Sequence, residues 1–172
     1  MASGDTLLVL TPLDNVPPAT VYATLDTMTG TSSPVESIPV LDFDDTTAEY
    51  ADFYCVMPRN YASGGLTITF AWSAASASNT AVLRAAFRRV QDDAEDLDTT
   101  AQTYDYNTTG ALTPPSAVGE VAYDTLTFTD GADMDSVAVG EYFILRVGRA
   151  PADGNDTLTG DISIHAIEIK ET

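Results

Sequence analysis

Apolar and polar residues alternate along most of this chain with a period of two. The clearest case is Leu66, Ile68, Phe70 and Trp72, interleaved with Thr67, Thr69 and Ala71. Successive side chains of a strand point to opposite faces, so this pattern predicts a strand with one face buried. Further strands are expected at Asp52–Pro58, Thr80–Val90, Thr100–Asn107, Val121–Phe128, Tyr142–Arg149 and Leu158–Ile169. A change of phase in the last two-residue repeat, from Ile162 and Ile164 to Ile167 and Ile169, predicts a β-bulge between them. A similar break suggests another bulge between Tyr123 and Leu126. Glycine, proline, asparagine and aspartate separate these runs, as in Asn60–Gly65 and Asp153–Asp156.

Residues 1–46 read differently. They contain Pro12, Pro17, Pro18, Pro34 and Pro39 and no basic residue. Proline lacks the backbone donor and is confined to edges and ends of sheets. Short strand-like pieces lie between them, at Thr6–Leu10, Val21–Leu25 and Ile38–Phe43. Residues 1–46 are therefore expected to form an extended arm laid along its own domain or a neighbouring copy, with a β-sandwich over 47–172. Seven or eight strands without a long helix define an all-β fold. The connections at 92–99 and 108–120 exceed hairpin length and favour sheet-crossing links, hence a jelly-roll-like β-sandwich. Its expected core includes Phe53, Ile68, Phe70, Trp72, Phe87, Phe128, Phe143, Leu145, Ile164 and Ile167.

Charge removes whole classes of partner. Twenty-six acidic residues against seven basic ones give a formal charge of −19 over 172 residues. Nucleic-acid binding needs clustered cations on phosphates, and anionic membranes impose the same need, so neither partner is expected. The longest apolar runs fall short of the roughly 20 residues that span a bilayer. Met1–Thr6 carries no positive charge ahead of Leu7–Leu10, so a secretory signal is not expected. Cys55, the single cysteine, sits among Phe53, Tyr54, Val56 and Met57 and reads as a buried hydrophobe.

Catalytic chemistry finds little to work with. His165, the single histidine, lies within a strand, and no nucleophile elbow or phosphate-cradling loop is present. A pair of carboxylates across a cleft is invisible in sequence, so an enzyme is not expected and no cofactor is implied. The acidic loops 92–98 and 130–135 crowd oxygen ligands and make Asp96, Asp98, Asp133 and Asp135 weak candidates for a structural Ca²⁺. Trp72, Tyr104, Tyr106 and Tyr123 are candidates for stacking on a sugar ring.

The run Asp52–Tyr61, the strand ending Ala71–Ala75, Ala85–Arg89, Glu95–Asp98 and Gly140–Arg149 together resemble small β-sandwich proteins encoded among the structural genes of tailed bacteriophages. The resemblance covers about 120 residues, from Tyr50 to the C-terminus. It implies a non-enzymatic virion component that trimerises. Two functions follow. One is a capsid decoration, or cement, protein made in the host cytoplasm and placed on the outer capsid surface. Its partners would be two further copies of itself and the major capsid protein. The other is a tail-associated receptor- or glycan-binding module, which predicts an exposed aromatic beside acidic loops. For the first, Leu8, Leu10, Val21 and Leu25 of the arm, with Arg84, Arg88, Arg146 and Arg149, are the interface candidates.

Overall fold

The computed structural model describes residues 4–172. Among the described residues ten strands form two antiparallel sheets: β1 (Thr6–Leu10), β2 (Thr24–Thr29), β3 (Ser37–Phe43), β4 (Tyr50–Val56), β5 (Leu66–Ala74), β6 (Leu83–Arg89), β7 (Asn107–Thr108), β8 (Ala122–Phe128), β9 (Tyr142–Arg149) and β10 (Ile162–Glu171). The larger sheet runs β2-β3-β10-β5-β8, with β1 also on β10; the smaller runs β4-β9-β6-β7. From β4 onward the chain changes sheet at almost every connection, because the links at 57–65, 75–82, 109–121 and 150–161 are too long for hairpins. This is the jelly-roll β-sandwich that the strand pattern predicts.

The buried faces follow the alternation. Leu66, Ile68, Phe70 and Trp72 of β5 face Phe53, Phe87, Phe143 and Leu145 of the other sheet across one core. All ten expected core residues are buried. Truncating one of the large aromatics, such as Phe70 or Phe143, removes about 3–5 kcal/mol. Trp72 is fully buried, and its indole N–H donates to Asp124 Oδ2 at 2.8 Å. The expected bulge in β10 is present: Ile164 pairs with Trp72 but Ala166 pairs with Ala71, so His165 is the extra residue. The bulge expected in β8 is not, since Ala122–Phe128 pairs with β5 in one unbroken register. Thr100–Asn107 is a loop rather than a strand; only Asn107–Thr108 joins the sheet, opposite Arg84 and Ala85.

Of the two placements expected for the arm, the structure has the one along its own domain. β3 lies inside the larger sheet, with Leu41 and Phe43 paired to Ile164 and Ile162. β1 pairs further along β10, Leu10 opposite Ile167. Residues 15–23 run along the free edge of β4: Val16 N–H donates to Asp52 O, and Tyr50 N–H to Val21 O. Leu10, Ala23, Val40, Leu41 and Phe43 are buried. Position 46 is therefore no boundary, because these pieces complete the core of their own domain. Pro39 is tolerated where β10 does not accompany β3, since that pairing covers only Leu41–Phe43.

Candidate functional site

The outward face of the smaller sheet carries the densest chemistry. Residues in register share a face, so it consists of four cross-strand rows. They are Tyr50–Gly148–Arg84, Asp52–Arg146–Ala86, Tyr54–Ile144–Arg88 and Val56–Tyr142 followed by Val90. Gly148 is required in the first row. A Cβ there would lie 2.6 Å from Glu49 O and 3.1 Å from the Tyr50 ring. Its absence lets Tyr50 lie over β9 and accept a hydrogen bond on its hydroxyl from Arg84 Nη2 at 2.7 Å.

In the second row Asp52 accepts from Arg146 Nε at 2.7 Å and Nη2 at 2.6 Å, a bidentate pair across adjacent strands. Residues 91–106 then fold back over the middle of the face. Tyr104 lies on the Arg146 guanidinium, 4.0 Å from ring centroid to Cζ, and stacks on Tyr106 with centroids 6.1 Å apart. Tyr106 in turn lies 5.0 Å from Arg84 Cζ and 5.9 Å from the Tyr50 ring. Glu95 forms an ion pair with Arg88. Asp52, Ala86, Arg88 and Ile144 are buried as a result. Burial also pushes the Tyr106 hydroxyl up to about 12, with Arg146 opposing the rise, so the ring stays neutral at ordinary pH.

One end of the face stays open. Tyr54 and Tyr142 stack with centroids 6.3 Å apart and an interplanar angle of 27°. They are 45% and 36% exposed, beside the 55% exposed Val56. Next to Tyr142, a concavity of about 500 Å³ is lined by Gln91, Asp92, Asp93, Gly140 and Glu141. An apolar ring face next to carboxylate and amide groups suits a sugar. Its C–H face packs on the ring while its hydroxyls donate to the oxygens.

The sequence-based candidates divide. Tyr104 and Tyr106 lie on this face but are half-buried against arginines; Trp72 is core, and Tyr123, 74% exposed, stands on the opposite sheet. Tyr54 and Tyr142 are not among the sequence-based candidates, because each adjoins a phenylalanine, Phe53 or Phe143, that occupies the buried parity of its strand. An aromatic on the outward parity of each strand was the available signal.

Among the interface candidates, Arg149 is fully buried and paired with Asp156, and Arg88 is buried under Glu95, so neither presents a surface. Arg146 is committed to Asp52. Leu8 and Leu10 pack on the core, whereas Val21 and Leu25 are exposed.

The Ca²⁺ candidates do not converge. Asp96 accepts from Asp98 N–H at 3.4 Å and Asp133 from Thr129 N–H at 2.6 Å, each within its own loop, whereas Asp135 accepts from Arg89 N–H at 2.8 Å and ties its loop to the end of β6. Among the described residues, the three carboxylates that come within 4.8 Å of one another are Asp44, Asp45 and Asp161. Thr46 and Thr47 donate to Asp44 and hold it down to about 2, and Gly160 N–H donates to Asp45. Partial burial and then the Asp44, Asp42 and Asp45 charges push Asp161 up. Cys55 is buried, and desolvation raises its thiol to about 11, which leaves it inert at neutral pH. His165 Nε2 lies 2.8 Å from Ser73 Oγ on the outer face of the larger sheet.

No family model and no curated protein matches this sequence. The fold has clear likenesses among solved structures. A family 35 carbohydrate-binding module from Clostridium thermocellum superposes with a TM-score of 0.57 at 8% identity, covering 98% of this chain and 100% of the module. The CBM22-1 xylan-binding domain of Paenibacillus barcinonensis Xyn10C gives 0.51 at 10% identity, covering 99% and 97%. A segment making up 23% of the Cry4Aa toxin from Bacillus thuringiensis gives 0.52 at 12% identity over 95% of this chain. The class is thus a jelly-roll β-sandwich of the architecture found in carbohydrate-binding modules. At such identities the likeness extends to fold alone, and it carries no sign of a virion.

Proposed function

We propose that this protein is a non-catalytic glycan-binding module, with the open end of the smaller sheet's outward face as its binding surface. The observation that carries the reading is the stacked, exposed pair Tyr54 and Tyr142 beside the concavity formed with Asp92, Asp93 and Glu141. A rigid aromatic platform keeps little side-chain entropy to lose on binding, and adjacent carboxylates fix the orientation of a polyol. The two superposed modules named for carbohydrate and xylan binding share the architecture. Placement on a phage tail is compatible with this reading. The cement reading loses its motive, because the N-terminal strands that were to grip a neighbour are paired with β10 and β4. Homotrimer formation and a capsid partner find no support in that arrangement.

The test is affinity electrophoresis and calorimetry against soluble neutral and acidic polysaccharides. Tyr142→Ala and Tyr54→Ala should each weaken binding by at least about tenfold, since losing a stacked ring removes roughly 1.5 kcal/mol or more. Their thermal midpoints should stay near that of the parent, because both rings are exposed. Binding that survives both substitutions would remove this face from consideration.

A further inference from the structure

We infer that the same face carries a second subsite at its other end, built around Arg84, that takes the carboxylate of an acidic sugar such as a uronic acid. The inference rests on the glycan-binding reading and names its ligand class. Arg88, Arg89, Arg146 and Arg149 each pair with a carboxylate, and Arg59 stands exposed on a loop. Arg84 is different. Among the described residues no carboxylate lies within 4.0 Å of it, although the chain has 26 acidic side chains to offer. Its guanidinium is held between the Tyr50 and Tyr106 rings, at 4.8 and 5.0 Å from their centroids. Nη2 donates to the Tyr50 hydroxyl at 2.7 Å, while Nε is buried with no acceptor. A guanidinium has five N–H donors, and most of these are unused. Two rings position the cation but do not satisfy its donors.

This cation lines a hollow of about 260 Å³ with Ala48, Tyr106, Thr108, Pro151 and Asp153. The walls are largely apolar, and the Tyr106 ring offers a stacking face. Asp153 opposes an anion, but its Oδ1 is occupied by Asn155 N–H at 2.9 Å and Asn155 Nδ2 at 3.1 Å. Arg84 is therefore the cation of the hollow, with donors still unused, and a planar carboxylate matches a planar guanidinium. Arg84 lies opposite Gly148, six residues along β9 from Tyr142, so the subsite is about 20 Å from the Tyr142 platform. An oligosaccharide that reached both ends would pass over residues 91–106, which cover the face between them.

The experiment is calorimetric titration of the full chain, in the presence of EDTA, with oligogalacturonates, their methyl esters and neutral xylo-oligosaccharides of equal length. Arg84→Gln, Arg84→Lys and Tyr142→Ala variants are titrated alongside. The acid form should bind the parent at least about tenfold more tightly than the ester, the worth of one charge-assisted hydrogen bond. Arg84→Gln should erase that preference, and Arg84→Lys should keep part of it, with neutral binding unchanged in both. Equal affinity for acid and ester in the parent overturns the subsite while leaving the glycan-binding reading intact, provided Tyr142→Ala weakens neutral binding. A preference that survives Arg84→Gln also overturns it. If none of the saccharides binds, both fall. Should Arg84→Gln not fold, the acid-versus-ester comparison in the parent decides alone.

Discussion

Arg149 and Asp156 form a bidentate ion pair in which neither side chain meets solvent: Nε donates to Oδ2 at 3.0 Å and Nη2 to Oδ1 at 2.8 Å. Alternation along β9 turns Arg149 inward, opposite Leu83, which is why an arginine that looked available for an interface is buried. Further hydrogen bonds surround the pair. Nη2 reaches Leu158 O at 2.6 Å, Nη1 reaches Gly160 O at 2.8 Å, and Asp156 accepts from Val82 N–H at 3.0 Å. The pair thus ties the 150–161 loop to the sandwich end.

Removing one partner of this pair should be costly. Asp156→Ala leaves a buried guanidinium without its counter-charge, and the expected loss is about 3–5 kcal/mol in chemical denaturation. Replacing both, as Arg149→Met with Asp156→Leu, should recover most of that loss, because neither charge then needs solvation. A double variant as unstable as the single would show that the loop's backbone contacts, rather than the pair, dominate.

Truncation of the N-terminal strands should abolish folding. Deleting residues 4–40 exposes one edge of β10 and removes Leu10, Ala23 and Val40 from buried positions. The remaining chain should show no cooperative thermal transition. A sharp transition at the parent's midpoint would restore the idea of an independent domain from 47 onward.

That truncation marks the boundary of what local sequence reveals. Parity identified β5 and β9 nearly to the residue, and the bulge at His165 was visible as a change of parity between Ile164 and Ile167. Partners were not visible. That Leu41 meets Ile164 is a contact over more than 100 residues, and the prolines around it suggested a detached arm. Tyr104 and Tyr106 alternate like strand residues, yet they do so because both rings lie on the same sheet face. The candidate platform was hidden for a related reason: Tyr54 and Tyr142 are far apart in sequence, and only the β4–β9 register brings them together.

Stability should fall with mild acid through His165. Burial lowers its pKa below the ordinary 6.5, against the opposing pull of Asp42. The unfolded chain therefore binds its proton more readily than the folded one. The contribution is complete above about pH 6.5 and is lost as pH falls through the folded value. Thermal midpoints of the parent should drop between pH 7 and 5, and His165→Gln should flatten that part of the profile. Parallel profiles for the two proteins would assign the acid sensitivity to carboxylates instead.

The cover over the centre of the face should depend on Tyr104. Residues 91–106 show few backbone hydrogen bonds beyond local ones such as Thr99 and Thr100 N–H to Asp96 O. The cover is held instead by Glu95 on Arg88, by Tyr104 on Arg146 and by Tyr106 beside Arg84. The cation–π and ring-stacking contacts of Tyr104 are worth about 0.5–2 and 0.5–1.5 kcal/mol respectively. Tyr104→Ala should therefore release the segment without unfolding the sandwich, and limited proteolysis within 100–106 should accelerate at least about tenfold while the amides of β4 and β9 keep their protection. Tyr104→Phe should behave like the parent, because the hold is exerted through the ring face. Unchanged cleavage in Tyr104→Ala would show that the Arg88–Glu95 pair alone fastens the cover.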